Sequence, residues 1–358
     1  MTIGELIPVL PAWFNGEGQD RDVVISTRIR LARNLANRRF PQKASLLERS
    51  QAFKDITEAF ANSSRYGNFE CVNCSGLTGV ERLFLAEQKI ISSELIDFEG
   101  DRGLIADMQQ RICVMVNEQD HIRFQCLDSG CCPEKSWSDI DGIDDDIGGC
   151  LEFAYDKRRG FLTSSPVDSG AGLRASFVLH LPALILTRNI DQTLLAVSQM
   201  GMVAQSFFGE PSNVCGGFFQ FSGIPAIGST ESEFLNNVRK VVEKTVECER
   251  TARQRILNDA VQELSDKIHR AYGILTHATM MDEVEFINLS SAIRMGMECN
   301  LFTPLTIPDL NRLTLLVMPA HLQMFHKRNM NSSELSIIRA ETVKKFFATS
   351  MKAVRHFI

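Results

Sequence analysis

Apolar and polar positions sort most sharply between Val114 and Cys126. An apolar run, Val114-Met115-Val116, is followed by the polar stretch Asn117 to His121, after which Ile122, Phe124 and Cys126 alternate with polar neighbours. That pattern predicts two strands against a core with a polar cluster at their junction. Upstream, Asp22 to Arg33 reads as a strand that turns basic. Arg28 and Arg30 flank Ile29, so both guanidinium groups leave the same face. The spacing predicts helices over Leu46 to Ala61 and Thr78 to Ser92, and short strands between Gly100 and Cys126. Over Trp137 to Tyr155, Ile140, Ile143, Ile147 and Leu151 recur at helical steps among Asp139, Asp141, Asp144, Asp145 and Asp146. This predicts a helix with its acids mostly on the solvated side, not a calcium loop.

Next, Arg158 to Pro182 reads as a strand, a loop of small residues and a strand carrying Arg174. Gln205 to Ser212 places Glu210 in a glycine-containing loop before Phe218 to Ser222 resumes strand character. Beyond Arg250, Leu257, Val261, Leu264, Ile268, Ala271 and Leu275 repeat at helical spacing, as do Val343, Phe347, Met351, Val354 and Ile358. A loose start over 1–21, a mixed region over 22–245 and a helical region over 250–358 is the simplest organisation.

The composition is globular, with 358 residues, 44% hydrophobic and 23% charged. A net charge of −6 argues against a general nucleic-acid or acidic-membrane binder while leaving room for a local basic pocket. No apolar run reaches membrane-spanning length, and the first fourteen residues lack a secretory signal's basic start and long apolar stretch, so a cytoplasmic location is expected. Ten cysteines then read as reduced thiols. A zinc site from Cys71, Cys74, Cys131 and Cys132 lacks a second well-spaced pair and a nearby histidine. His180 reads as structural. Arg-x-Arg on one strand face suits a polyphosphate and equally suits an exposed edge strand. No Gly-x-x-x-x-Gly-Lys loop is present, so any nucleotide must be held another way.

Ser26-Thr27-Arg28-Ile29-Arg30, Asn117-Glu118-Gln119-Asp120-His121-Ile122-Arg123, Gly160-Phe161-Leu162-Thr163 with Arg174-Ala175-Ser176, and Gly209-Glu210 follow one another in order. Together they resemble the motifs of the ATP:guanidino phosphotransferases, over roughly positions 22 to 245. Within that family the match is nearer to the bacterial protein-arginine kinases, and Pro319-Ala320-His321-Leu322-Gln323 extends it into the helical region. The resemblance implies an α+β fold, with an antiparallel sheet flanked by helices in the glutamine synthetase-like manner and an all-helical C-terminal domain. It implies Mg2+ and ATP as cofactors and phosphorylation of exposed arginine side chains on protein substrates. Implied partners are a second copy of the chain through the helical domain, and a Clp-type protease or a small zinc-finger activator. Nucleic acid and membrane are not implied.

By the same resemblance, Arg28, Arg30, Arg123 and Arg174 clamp the phosphates. Ser26, Thr27, Ile29, Ala175, Ser176, Phe177, Val178 and Gly209 belong to the nucleotide-binding motifs. Glu118 and Asp120 organise magnesium through water, without direct ligation, and Glu210 orients and deprotonates the acceptor guanidinium. Four positions depart from the pattern. Gln119 replaces the second catalytic glutamate, Ser165 a reactive cysteine, Gln205 a fifth phosphate-binding arginine, and Lys89 a nucleotide-contacting histidine. Leu335-Ser336-Ile337-Ile338-Arg339-Ala340 keeps only the second half of a phosphoarginine-binding motif. Two functions follow: a protein-arginine kinase with weakened catalysis, or an ATP-binding pseudokinase acting as adaptor or regulator in protein quality control. A free phosphagen kinase ranks third, because those enzymes carry a further N-terminal domain.

Overall fold

The computed structural model describes residues 3–63, 69–96, 100–208, 214–226, 228–302 and 305–355, with side chains to position 349. Eight strands form one antiparallel sheet: β1 (Val24–Arg33), β2 (Glu70–Asn73), β3 (Gly103–Ala106), β4 (Ile112–Val116), β5 (Ile122–Ser129), β8 (Leu173–His180), β9 (Val203–Ser206) and β10 (Phe218–Gly223). Two further strands, β6 (Tyr155–Asp156) and β7 (Gly160–Phe161), make a small separate hairpin. The large sheet runs β2-β3-β4-β5-β1-β8-β10-β9, so β1 is central and both of its neighbours are distant in sequence. Helices before and between the strands are α1 (Ile3–Leu6), α2 (Leu46–Asn62), α3 (Gly79–Glu87), α4 (Pro133–Gly148), α5 (Pro182–Leu186) and α6 (Ile190–Gln199). The chain then continues as α7 (Glu231–Asp259), α8 (Val261–His277), α9 (Glu283–Glu298), α10 (Ile307–Leu316), α11 (Pro319–His326) and α12 (Ser332–Arg355).

Strand alternation gives the sheet two unlike faces. Ile29, Leu31, Phe124, Cys126, Ala175, Phe177, Leu179 and Phe221 are buried on one face, which α4 and α7 help to cover. Removing each large side chain from water there contributes about 2 kcal/mol. The opposite face carries the polar and cationic residues of the site.

Several local expectations shift. The stretch over 1–21 is not loose, since Trp13 and Phe14 are buried and Trp13 Nε1 donates to the carbonyl of Gln88 at 2.9 Å. The helix expected over Thr78 to Ser92 stops at Glu87, because Lys89 takes a left-handed conformation at φ 64°. The acidic helix begins earlier, with Pro133 in its first turn, and ends at Gly148 rather than running to Tyr155. Its acids are not all solvated, since Asp144 is buried and bonds Arg33 Nη2 at 2.6 Å. The expected boundary at 245–250 falls inside α7, so a continuous helix joins the two regions.

The helical part is seated on the sheet domain. Glu87, ending α3, accepts from the backbone N–H groups of Ala320 and His321 at 2.8 and 3.1 Å and from His321 Nδ1 at 2.6 Å. His180 lies buried with Nε2 2.7 Å from Ser291 Oγ, as a structural histidine. Arg339, from the half-kept motif, is buried and donates to the carbonyls of Val317 and Met281 at 2.9 and 3.0 Å. All ten cysteines are free thiols, and no described helix is long and apolar enough to cross a membrane.

Candidate active site

The register of the central strands gathers the arginines. Arg174 of β8 pairs with Arg30 of β1 and Ser176 with Arg28, while on the other side Gln125 pairs with Arg30 and Arg123 with Ala32. Residues opposite one another in a sheet share a face, so four guanidinium groups leave the same side of three strands. Gln220, Ser222 and Gln205 extend that face across β10 and β9. Of the other nucleotide-motif residues, Ser26 and Val178 share the arginine parity and are buried. The side chains of Thr27, Ile29, Ala175 and Phe177 are buried on the opposite face, so any nucleotide contact they make is through backbone. Thr27 Oγ1 is spent on the carbonyl of Gly130 at 2.6 Å.

These cations are crowded beyond what their neighbours balance. Burial, then Arg123 and Arg174, push Arg28 down to about 10. Arg30 is held well below its ordinary value by burial and by Arg28, Arg123 and Arg174, against the opposing pull of Glu118. Arg30 Nε is buried with no hydrogen-bond partner among the described residues. Arg28 Nη2 donates to Gln220 Oε1 at 3.0 Å, a neutral acceptor. Like charges held together and under-paired constitute a preorganised site for a polyanion. Arg28, Arg30 and Arg174 border a cleft of about 720 Å3 lined also by Lys89, Gln205 and Phe207. Lys89 Nζ sits 4.8 Å from the centre of the Phe207 ring, and burial with nearby Arg28 lowers its pKa. Its carbonyl accepts from Gln125 Nε2 at 2.9 Å, which ties α3 to the arginine face.

The polar stretch predicted from sequence is the tip of the β4–β5 hairpin. Asn117 has φ 56°, its N–H donates to the carbonyl of His121 at 2.9 Å, and its Nδ2 donates to the carbonyls of Arg49 and Asp101. Asparagine tolerates this left-handed turn and satisfies it with its own side chain. Glu118 is buried and pairs with Arg123 Nη1 at 2.6 Å, while also accepting from Ser92 Oγ and from the Gln119 N–H. Asp120 Oδ1 accepts from Asn34 Nδ2 at 2.6 Å and from the Ser164 N–H at 2.7 Å. Both carboxylates are therefore engaged by protein donors. Among the described residues, no three His, Cys, Asp or Glu side chains converge on a metal-sized site. Gln119 Oε1 accepts from Arg123 Nη2 at 2.8 Å. Its side chain lines a second cavity of about 150 Å3, with Arg30, Glu94, Arg123, Asp168 and Arg174.

Ser165 lies in the 162–172 loop, half-buried, one residue beyond Ser164, whose Oγ donates to the carbonyl of Gln119 at 2.8 Å. Gly209 and Glu210 lie outside the described residues. The sequence reading missed Asp168, which pairs with Arg174 Nη2 at 2.7 Å, together with Gln220, Ser222, Phe207 and Glu94. Gln220 and Ser222 had a signal in the alternation with Phe219 and Phe221, and Asp168 and Glu94 had none.

Comparison with known proteins agrees with this geometry. A family model described as ATP:guanido phosphotransferase, C-terminal catalytic domain, matches residues 51–252. One described as protein-arginine kinase McsB C-terminal domain matches 261–356. The protein-arginine kinase of Halalkalibacterium halodurans is 34% identical over 333 residues, 93% of this chain and 94% of that one. That of Halothermothrix orenii is 33% identical over 345 residues, 96% and 99% of the two chains. Among solved structures, a lombricine kinase superposes with TM-score 0.58 at 20% identity, covering 68% of this chain and 70% of that one. A duplicated taurocyamine kinase from Schistosoma mansoni, with bound transition state analog components, also gives TM-score 0.58, at 22% identity over 69% of this chain and 37% of that one. An arginine-lined antiparallel sheet, its helical companion and both family matches lead to one placement: the chain belongs to the ATP:guanido phosphotransferase family.

Proposed function

We propose that the chain transfers the γ-phosphoryl group of Mg-ATP to arginine side chains of proteins, at a rate lowered by the residues at 119, 165 and 205. The observation that carries this reading is the under-paired set of Arg28, Arg30, Arg123 and Arg174 on one sheet face, with Arg30 Nε buried and unbonded. Phosphoryl transfer gains most from fixed positive charge around the equatorial oxygens, and strand-borne guanidinium groups supply it without reorganisation. Mg2+ comes with the nucleotide, and Glu118 and Asp120 act on it only through its water shell.

In the transfer the bond from the γ-phosphorus to the bridging oxygen of ADP breaks. A bond from a guanidinium nitrogen forms, and that nitrogen loses a proton. Glu210 takes the proton. Gln119 holds Arg123 in place but, being an amide, cannot share that work. Losing one acid catalyst commonly costs on the order of a hundredfold, so turnover is slow. The test is phosphoarginine mass spectrometry on an unfolded protein substrate with Mg-ATP. Product above a Glu210→Ala control is expected, and its absence ends the reading.

A second reading has a specific basis. Two of the four departures, at 119 and 165, fall on the acceptor side of the cleft, which is what an ATP-binding pseudokinase acting as adaptor predicts. Gln119→Glu with Ser165→Cys and Gln205→Arg separates the two, since robust wild-type activity that these changes leave unaltered is incompatible with a pseudokinase.

A further inference from the structure

Replacing a carboxylate by Gln119 changes what the acceptor side offers. An arginine has donors only, so the 2.8 Å contact with Arg123 Nη2 fixes the Gln119 carbonyl oxygen toward Arg123. The amide NH2 is then the group left over, and it donates to none of the described residues. A guanidinium is also donor-only. An acceptor arginine arriving beside Gln119 therefore finds there only a neutral oxygen already engaged by Arg123, and it faces Arg30, Arg123 and Arg174 around the same small cavity.

Among the described residues the nearby carboxylates are spent, with one exception, and Glu210, the proposed proton acceptor, lies outside them. Asp168 is paired with Arg174, Glu118 with Arg123, and Asp120 with Asn34 and the Ser164 N–H. Glu94 makes no ion pair among the described residues, and its Oε2 accepts from Ser93 Oγ at 3.2 Å. Glu94 lines both the large cleft and the small cavity. The segment that carries it is fixed. Leu95 is buried, Ser92 Oγ is bonded to Glu118, and the Glu94 carbonyl accepts from Arg102 Nη1 at 3.2 Å. Burial alone would raise the Glu94 pKa, but hydrogen bonds from its own backbone N–H and from Ser93 and the charge of Arg123 hold it below the ordinary carboxylate value. The group is ionised at neutral pH and is suited to holding a cation rather than to removing a proton.

We propose that Glu94 binds the acceptor guanidinium, supplying from the 92–95 segment the negative charge that position 119 lacks. This rests on the phosphotransfer reading, and it adds a substrate-binding residue that reading does not contain. Once nucleotide phosphates neutralise the arginines, the remaining need of the acceptor is an anionic oxygen. Among the described residues, Glu94 is the carboxylate on that border not already paired with a cation.

The experiment titrates an arginine-containing peptide into full-length Glu94→Gln and wild-type protein with Mg-ADP and nitrate, a planar stand-in for the transferring phosphoryl group. Peptide affinity falls about tenfold or more, the scale of one charge-assisted hydrogen bond, while nucleotide affinity, its magnesium dependence and the melting temperature are unchanged. Adding Gln119→Glu to Glu94→Gln restores peptide binding, which a merely structural role would not produce. Unchanged peptide affinity overturns the proposal, as does a shift confined to magnesium or nucleotide, or a wild type that binds no peptide. Peptide binding that depends on Glu94 without phosphoarginine product ends the phosphotransfer reading alone. Product formation with an unaltered peptide KM in Glu94→Gln ends the Glu94 assignment alone.

Discussion

The two sides of the cleft are built from different material. The side proposed to hold phosphate is strand: Arg28, Arg30, Arg123 and Arg174 sit on adjacent central strands whose register fixes their spacing. The side proposed to receive the acceptor is a hairpin tip, Asn117 to His121, and the 162–172 loop, held by side-chain bonds such as Asn34 to Asp120 and Ser164 to Gln119. Substitution has spared every strand-borne arginine of β1, β5 and β8 and has reached Gln119 and Ser165 on the other side. The edge strand β9 carries the neutral Gln205 on the same face, so the retained charge is concentrated on the central strands. A hairpin tip tolerates an amide for a carboxylate when Arg123 accepts either.

Arg30→Gln breaks the phosphate side at its centre and has the largest expected effect. Turnover falls by on the order of a thousandfold, the scale of an arginine on a transferring phosphoryl group, and nucleotide titration loses its signal. Ligand-free stability moves the other way. Partial burial of Arg30, then three like charges, hold its pKa well down, so its removal relieves a standing cost and raises the melting temperature. A variant that loses nucleotide binding and also melts earlier would contradict the crowding described here.

The hairpin has its own point of failure, in His121. Burial and then Arg38 push the imidazole down to about 4 from an ordinary 6.5, and its Nδ1 accepts from the Leu35 N–H at 3.3 Å. Because the folded state binds fewer protons than the unfolded chain between those values, stability rises with pH across the window. The contribution is fully present above pH 6.5 and is lost as pH falls through about 4. It amounts to about 3 kcal/mol at full extent. Denaturant unfolding from pH 7 to pH 4.5 should show this slope in wild type and in Arg30→Gln, and a flatter one in His121→Asn. Equal slopes in all three would remove His121 as the hairpin's acid-sensitive pin.

The same division explains what was legible in the sequence. Arg28 and Arg30 share a face because strand alternation is a local rule, and the hairpin between Val114 and Cys126 announces itself by its apolar flanks. The pairings that complete the cleft are not local. Arg28 meets Gln220 across 192 positions, and Asn34 meets Asp120 across 86. Nothing in the texture of 166–168 marks Asp168 as the partner of Arg174. Helix ends depended on backbone detail that periodicity does not carry. Ile90 continues the apolar spacing of α3, yet Lys89 has already turned left-handed and redirected the chain toward the cleft. Trp13 and Phe14, among prolines and glycines, looked like a loose start because their cover, Gln88 and Asn311, comes from far along the chain.

Gln119→Glu tests the acceptor side directly and has the smallest expected effect. A second carboxylate beside the acceptor gives the guanidinium an ionised partner and can share in proton removal, which argues for a gain. Arg123 argues for a limit, because it already bonds Glu118 at 2.6 Å and the Gln119 oxygen at 2.8 Å, and would draw a new charge toward itself. An acid positioned but partly neutralised recovers a fraction of the usual general-base factor, so kcat rises about tenfold rather than by the full hundredfold or more. The KM for nucleotide is unchanged, since the phosphate arginines keep their strand positions. A steady-state comparison on one protein substrate reads both values. A rise in kcat with unchanged nucleotide KM places the deficit on the hairpin, whereas a change in nucleotide KM alone would mean that the two sides are electrostatically one site.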